Sequence, residues 1–380
     1  MLRKKRASIL LIVLITIAFA SLALVTFIDR ASNDLLVAAR AAEANRLRAD
    51  AYSALEVTLG VLNEFIQADG ALHSPAEGWS DPLGFAGYEP ASGRTIDVTF
   101  EDESGKLSLP HADVNQFTNL FQSWGVTQSD AEQLADALLT WMHNDHVAST
   151  DAGTPDYDRA AIAYAAPQRS LRSFDELAAI DFVNKKFYDE NGQPNDLWRQ
   201  FTTTFSLYDF KQPNLNAAGS GTLTALGQSD PMLQHQLSSY LNGTDDYKSQ
   251  GPGYFKTMAD ATNLLGAKAL PQGVGLQILA LRIIVAVHED NSSFRLTTVV
   301  TQQNQAKAIA STEQVATSDG TATNPPGVTV PATANNTPGT ATSTTTTTQL
   351  NYPFTLLEVH EEIIDNPTNP SLSPDAAPPT

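Results

Sequence analysis

Asn144, Asp145, Asp151, Asp156 and Asp158 crowd one short stretch of the chain. Hard cations take about six to eight oxygen ligands from flexible loops, so this stretch is a candidate calcium loop, with Asp145, Asp151, Asp156 and Asp158 as its carboxylates. Their spacing is not that of an EF-hand, and a solvated acidic loop is the alternative. His143 and His146 invite a zinc reading, but they stand three apart at an expected helix end, whereas a helical zinc pair is four apart with a Glu between. The sequence contains no cysteine, which removes thiol catalysis, cysteine zinc sites and disulfides. It also has no Gly-x-Ser-x-Gly elbow and no Gly-rich phosphate loop ending in Lys and Ser or Thr. The expectation is a protein that is not an enzyme.

Bulk properties narrow the classes further. A chain of 380 residues, 42% of them hydrophobic, can bury one or two cores of ordinary domain size. A formal charge of -19 opposes a nucleic-acid surface, which needs clustered Lys and Arg to replace counterions. The one dense basic cluster is Arg3, Lys4, Lys5 and Arg6, and it precedes an uncharged apolar run from Ser8 to Ile28. That run can cross about 30 Å of hydrocarbon as a helix. The positive-inside rule then keeps the basic cluster in the cytoplasm and places everything after Ile28 outside. A cleavable secretory signal is the competing reading, with Ala18-Phe19-Ala20 before Ser21 as its cleavage site.

The helical pattern does not stop at the membrane. Leu47, Ala51, Leu55, Leu59, Leu62 and Ile66 recur at intervals of three and four among polar residues. Read from Ser8 to Gln67, this is one helix of roughly 90 Å, a membrane span followed by a stalk packed on a head. Next, Ile96, Val98 and Phe100 alternate as in a half-buried strand, and Glu103 to Lys106 turn into Leu107-Ser108-Leu109. Two helices follow, one with Val114, Phe117, Leu120 and Phe121 on a face, the other with Ala131, Leu134, Leu138 and Trp141, capped by Ser129-Asp130. Ser173 caps a further short helix, and Asn214-Leu215-Asn216 reads as another cap. Leu279 to Val287 and Phe294 to Val300 form a hairpin around Glu289-Asp290-Asn291, and Tyr352 to Val359 is a last strand. The Thr- and Pro-rich stretch between them is too polar to bury.

These residues resemble the type IV pilin and pseudopilin superfamily: a basic leader, a small residue, an apolar helix and an amphipathic continuation. The middle of the chain is similar to the K class of minor pseudopilin in type II secretion. It carries Asp102 to Leu109, then Trp141, Asp145, the Gly153 to Tyr157 loop, Pro167, Ser173 to Leu177 and Asn214 to Ala218 in matching order. The resemblance implies prepilin-peptidase cleavage between Ala7 and Ser8, where Ala7 replaces the usual Gly. It also explains Ile12, at the fifth mature position where most pilins have Glu but the K class does not. A buried intramembrane carboxylate needs a partner, and a subunit with nothing above it has no use for one.

What the resemblance implies for the whole chain is an α+β fold, a long amino-terminal helix on a small antiparallel pseudopilin-type sheet with a large helical insertion. The expected organisation is a cytoplasmic leader (1–7), the transmembrane and stalk helix (8–67) and an α+β domain in two pieces (68–109 and 271–364). The helical insertion (110–270), a low-complexity loop (302–349) and a disordered tail (365–380) complete it. The implied function is to cap the tip of the type II secretion pseudopilus and help initiate it. The implied partners are the I- and J-class minor pseudopilins, the inner-membrane secretion platform and the prepilin peptidase, with no nucleic acid. The protein would be single-pass in the inner membrane, its head periplasmic, and its insertion able to hold calcium. A secreted or anchored binding module and a periplasmic hydrolase are the alternatives.

Overall fold

In the computed structural model, residues 3–153, 157, 164–266, 270–290, 292–302, 305–309 and 353–365 are described. The first element is a continuous helix, α1, from Arg3 to Asp69. It begins within the basic cluster and runs through Ala20 and Ser21 without a break. The hydroxyls of Thr16 and Thr26 donate to the carbonyls of Val13 and Ala23, 2.8 and 2.9 Å away, so the polar groups of the apolar part are satisfied within the helix. Burial starts only at Leu47, and from there Ala51, Leu55, Leu59 and Leu62 pack on a sheet.

A one-turn helix, α2 (Pro82–Ala86), leads to strand β1 (Arg94–Asp102). Strand β2 (Leu107–Ser108) follows a short turn, and helices α3 (Val114–Ser123) and α4 (Gln128–Met142) come next. After the acidic loop come α5 (Asp181–Phe187), α6 (Asp196–Thr204), β3 (Phe205–Ser206), β4 (Asp209–Phe210), α7 (Ser220–Ala225), α8 (Pro231–Asn242) and α9 (Met258–Leu265). Strands β5 (Leu281–Glu289), β6 (Ser292–Gln302), β7 (Ala306–Lys307) and β8 (Phe354–Asp365) close the fold.

The main sheet is antiparallel with order β1-β5-β6-β8. Strand alternation sends Ile283, Val285 and Val287 of β5 and Phe294, Leu296 and Val300 of β6 to one face, where the lower half of α1 covers them. The fold is therefore α+β, with the helices largely between β1 and β5. Those helices build their own cores. Phe117, Phe121, Phe187, Phe201 and Phe205 form one around the α3–α6 group, with Phe201 and Phe205 ring centroids 4.7 Å apart. Leu215, Leu223, Leu237 and Phe255 form a second around α7–α9.

Some local expectations are corrected. Val114 is exposed: Asp113 caps α3 and places Val114 in the first turn, on the solvent side of Phe117, Leu120 and Phe121. The cap of α4 is Thr127, whose hydroxyl accepts from the Asp130 amide; Ser129 and Asp130 already lie within the helix. The last strand begins at Phe354 and reaches Asp365, because it pairs along the whole of β6 and bulges between Val299 and Val300. Within the expected helical insertion, β3 pairs in parallel with β2, and β4 pairs with β7. Most of the low-complexity stretch, and the tail after Asp365, lie outside the described residues.

Candidate functional site

Three places carry the sequence-predicted functional residues. The first is the upper half of α1, which includes Ala7, Ser8 and Ile12. Among the described residues α1 is the one helix long and apolar enough to cross a membrane, and no part of its most apolar stretch is buried. Ile12 is 57% exposed and presents an aliphatic side chain outward. Between Ile28 and Leu47 the helix runs free for about 27 Å at 1.5 Å per residue. This free stretch presents Leu35, Leu36 and Val37 to the surroundings at 71%, 52% and 67% exposure. Exposed apolar side chains of this kind on a helix suit packing against other helices.

The second place is the acidic loop after α4. Its centre is Asp136, a residue absent from the sequence-level candidates, on the buried side of α4. The Asp136 carboxylate accepts from His146 Nε2 at 2.7 Å, from the Ser149 and Thr150 amides at 3.0 and 2.8 Å, and from the Thr150 hydroxyl at 2.7 Å. Burial alone would push this carboxyl up; the Thr150 hydroxyl, His146 and the two amides outweigh it and hold Asp136 below the usual carboxylate range. Gly153 closes over the same group, and a Cβ there would collide with Asp136 Oδ2. Tyr157 packs edge-on against Trp141 and stacks on Tyr164, with centroids 5.7 and 4.7 Å apart.

Of the four calcium candidates, Asp145 and Asp151 are exposed on this loop, while Asp156 and Asp158 lie outside the described residues. No group of three or more His, Asp or Glu side chains is placed to hold a metal ion among the described residues. Two outward carboxylates fall short of the about six to eight oxygens that calcium takes, so the described part of the loop does not by itself make a cage. Asp136 has its oxygens occupied by protein donors, and His146 serves Asp136.

The third place is where the helical region leaves and rejoins the sheet. Asp102 ends β1, Glu103–Gly105 form a buried turn, and Asn214 caps the turn Leu215–Ala217. Asn214 is more than a cap: its Nδ2 donates to Asp102 Oδ2 at 2.7 Å and to the His73 carbonyl at 3.0 Å, and its amide donates to the Ser104 carbonyl at 2.6 Å. Asn216 bonds to Phe255 through both its Oδ1 and Nδ2, and to the Leu276 carbonyl. Ser104 Oγ accepts from the Leu279 amide at 2.9 Å. Gly105 is required here, since a Cβ would meet the Ala217 carbonyl oxygen at 2.5 Å.

The charges of this junction are sorted by their partners. Burial pushes Asp102 up to about 7 against the pull of Ser104 and Asn214, with the Glu103 charge adding to the rise. Burial acts on Glu103 as well, but Lys106, Arg282 and the Ser206 hydroxyl hold it below the usual range. Arg282 Nη2 and Lys106 Nζ lie 2.7 and 3.3 Å from its carboxylate. Burial and the bond to Glu358 of β8 raise Tyr208 well above its ordinary value. Sequence spacing signalled the turn and the cap, while the partners that make them a junction come from distant segments.

Comparison with known proteins bears on this middle region. Residues 100–190, from the end of β1 through the acidic loop to α5, match the family model described as type II secretion system (T2SS), protein K. The resemblance read from the sequence therefore stands over that segment. A solved structure of similar outline is the GspK-GspI-GspJ complex from the enterotoxigenic Escherichia coli type 2 secretion system. A chain of it aligns at 15% identity and a TM-score of 0.49, covering 69% of this chain and 93% of that chain. No curated protein matches the chain.

Proposed function

We propose that this protein is a K-type minor pseudopilin, anchored by α1 in the inner membrane with its head in the periplasm. In this role it caps the tip of the type II secretion pseudopilus. The observation that carries the reading is the match of residues 100–190 to the protein K family, which runs from the end of the first part of the α+β domain into the bulky insertion expected from residue 110. The free stretch of α1 supports it, because its exposed Leu35, Leu36 and Val37 offer apolar surface for neighbouring stalk helices. Ile12 fits a subunit that needs no neighbour above it, since it puts no carboxylate into the membrane. The helical region, with two cores of its own, adds bulk that a shaft of stacked helices would not accommodate.

Its work is assembly, and its partners are the I- and J-class minor pseudopilins and the secretion platform. A prepilin peptidase cuts it between Ala7 and Ser8. The test is to co-express the chain with a prepilin peptidase and its own I- and J-class partners. The membrane-extracted protein is then sequenced from its amino terminus and the complex weighed by light scattering. A terminus at Ser8 and a stoichiometric complex are expected. A terminus at Ser21, a regular homopolymer of this chain, or no association with those partners would each overturn the role.

A further inference from the structure

Strand β8 ends the main sheet, and among the described residues it pairs on one side only, with β6. Its register sets Ile363 opposite Phe294, Val359 opposite Thr298 and Leu356 opposite Val300. Those three partners are buried on the face that α1 covers, yet Ile363, Val359 and Leu356 are 59%, 44% and 49% exposed. The helix therefore covers β5 and β6 and stops short of β8. Arg48 and Tyr52 extend from α1 to the strand and donate to Glu361 Oε1 at 3.0 and 2.6 Å, so the uncovered apolar strip runs along the flank of the helix. Beside it lies a row of backbone amides and carbonyls with no partner strand, a template for one more strand. Such edges are often blunted by Pro, by Lys or by shortness, but β8 runs for 12 residues with neither Pro nor Lys.

The charges of β8 decide what can add to it. The strand carries Glu358, Glu361 and Glu362 and no Lys or Arg. Arg48 answers Glu361, and Arg295 lies 3.3 Å from Glu362. Glu358 is bonded to the neutral hydroxyl of Tyr208; Arg282 also attracts it, but that guanidinium is bonded to Glu103. The surplus along the edge is negative. Two copies of β8 laid edge to edge would bring these carboxylates together, and like charges across a strand pair oppose pairing. A net charge of -19 on the chain adds to that repulsion. The acids thus oppose self-pairing through β8 and favour a strand of the opposite charge.

We propose that β8 takes an added strand from a different polypeptide, one with aliphatic side chains at alternate positions and Lys or Arg between them. Backbone hydrogen bonds along the free edge supply the pairing, and the side chains supply the choice of partner. Side chains alternate between the two faces of a sheet. The aliphatic set of the added strand therefore covers Ile363, Val359 and Leu356 beside α1, while its basic set lies on the opposite face, level with Glu358 and Glu362. This sheet extension is independent of the assembly role proposed above, because it requires a free edge and not a place at a fibre tip.

The test uses the full chain in detergent and a fluorescein-labelled peptide that alternates Lys with Val or Ile, read by anisotropy. Controls are the same peptide with Glu in place of Lys, and two N-methylated versions, one blocked at the Lys amides and one at the aliphatic amides. In a strand every second amide faces the neighbour, so strand addition predicts saturable binding that one of the methylated peptides loses and the other keeps. The Glu peptide should bind at least about tenfold more weakly, and hydrogen exchange should slow in β8 when the Lys peptide is present. Ile363→Lys, at an exposed position whose melting temperature serves as the control for folding, should weaken binding about tenfold through lost apolar burial. No saturable binding, equal binding of the Glu peptide, loss or retention of binding by both methylated peptides, or an Ile363→Lys variant that binds unchanged would overturn the proposal. So would binding that appears only after residues 366–380 are removed, which would make the chain's own tail the occupant, or a dimer in light scattering that Ile363→Lys abolishes, which would make it a second copy.

Discussion

Asp102, half-buried, and Asp136, buried, both hold a loop by accepting hydrogen bonds, yet their proton affinities move in opposite directions. Asp136 anchors a loop that folds back on its own helix, and it receives His146, a hydroxyl and two amides. Asp102 sits where three distant segments meet. Its donors are Ser104 and Asn214, and the Glu103 charge stands beside it. Donors outweigh burial at Asp136, and burial outweighs donors at Asp102. The number and charge of the donors, set against the depth of burial, decide whether a buried carboxylate stays ionised.

The widest separation of the two should come with pH. Asp102 has a folded value of about 7 against 3.8 for the free side chain, so between those values the folded chain holds a proton that the unfolded chain has lost. Its stabilisation is present below pH ~4 and is lost as pH rises to about 7, on the order of 4 kcal/mol at most, at about 1.36 kcal/mol per unit. Asp102→Asn should flatten that slope in thermal melts of the detergent-solubilised chain. Asp136, held below its usual value, keeps its contribution above pH ~4 and loses it only in more acid solution. A melting temperature that does not fall between pH ~5 and ~7 would show that the donors around Asp102 win after all.

Removing the second hub should cost somewhat less. Asp136→Ala orphans His146, the Thr150 hydroxyl and two amides, and is expected to destabilise the α3–α6 core by about 3 kcal/mol. Asp136→Asn should lose about half as much, because an amide oxygen still accepts. Proteolysis of the loop around Ser149 and Thr150, read by mass spectrometry, should rise in step. If the Ala variant melts like the unmutated chain, Asp136 does not organise the loop.

Calcium should give the smallest effect. If the loop takes an ion through Asp145, Asp151, Asp156 and Asp158, chelation lowers the melting temperature, because a ligand of the folded state alone stabilises it. The drop should be smaller than that caused by Asp136→Ala, since protein donors already fix the loop, and Asp145→Ala with Asp156→Ala should abolish it. A chelation effect larger than that of Asp136→Ala would make the ion the organiser in place of Asp136.

What the sequence by itself determined was whatever rests on periodicity and local chemistry. The uncharged run from Ser8 and the three-four spacing from Leu47 produce α1, and the alternation of Ile96, Val98 and Phe100 produces β1. The Ser173 cap and the hairpin of β5 and β6 follow in the same way. Each involves residues a few positions apart, so spacing alone reports it. Even locally there was ambiguity: Thr127, Ser129 and Asp130 are all competent cap residues, and the position of the first buried turn chose Thr127.

Only the tertiary structure decided which polar residues matter. Asn214 and Asp102 are 112 positions apart, and Asn216 lies 60 from Leu276, so no local pattern could join them. Asp136 looked like one more acid on a helix until the loop returned over it. A buried polar group is defined by partners and by exclusion of water, and both are properties of packing, which the linear order of residues does not contain.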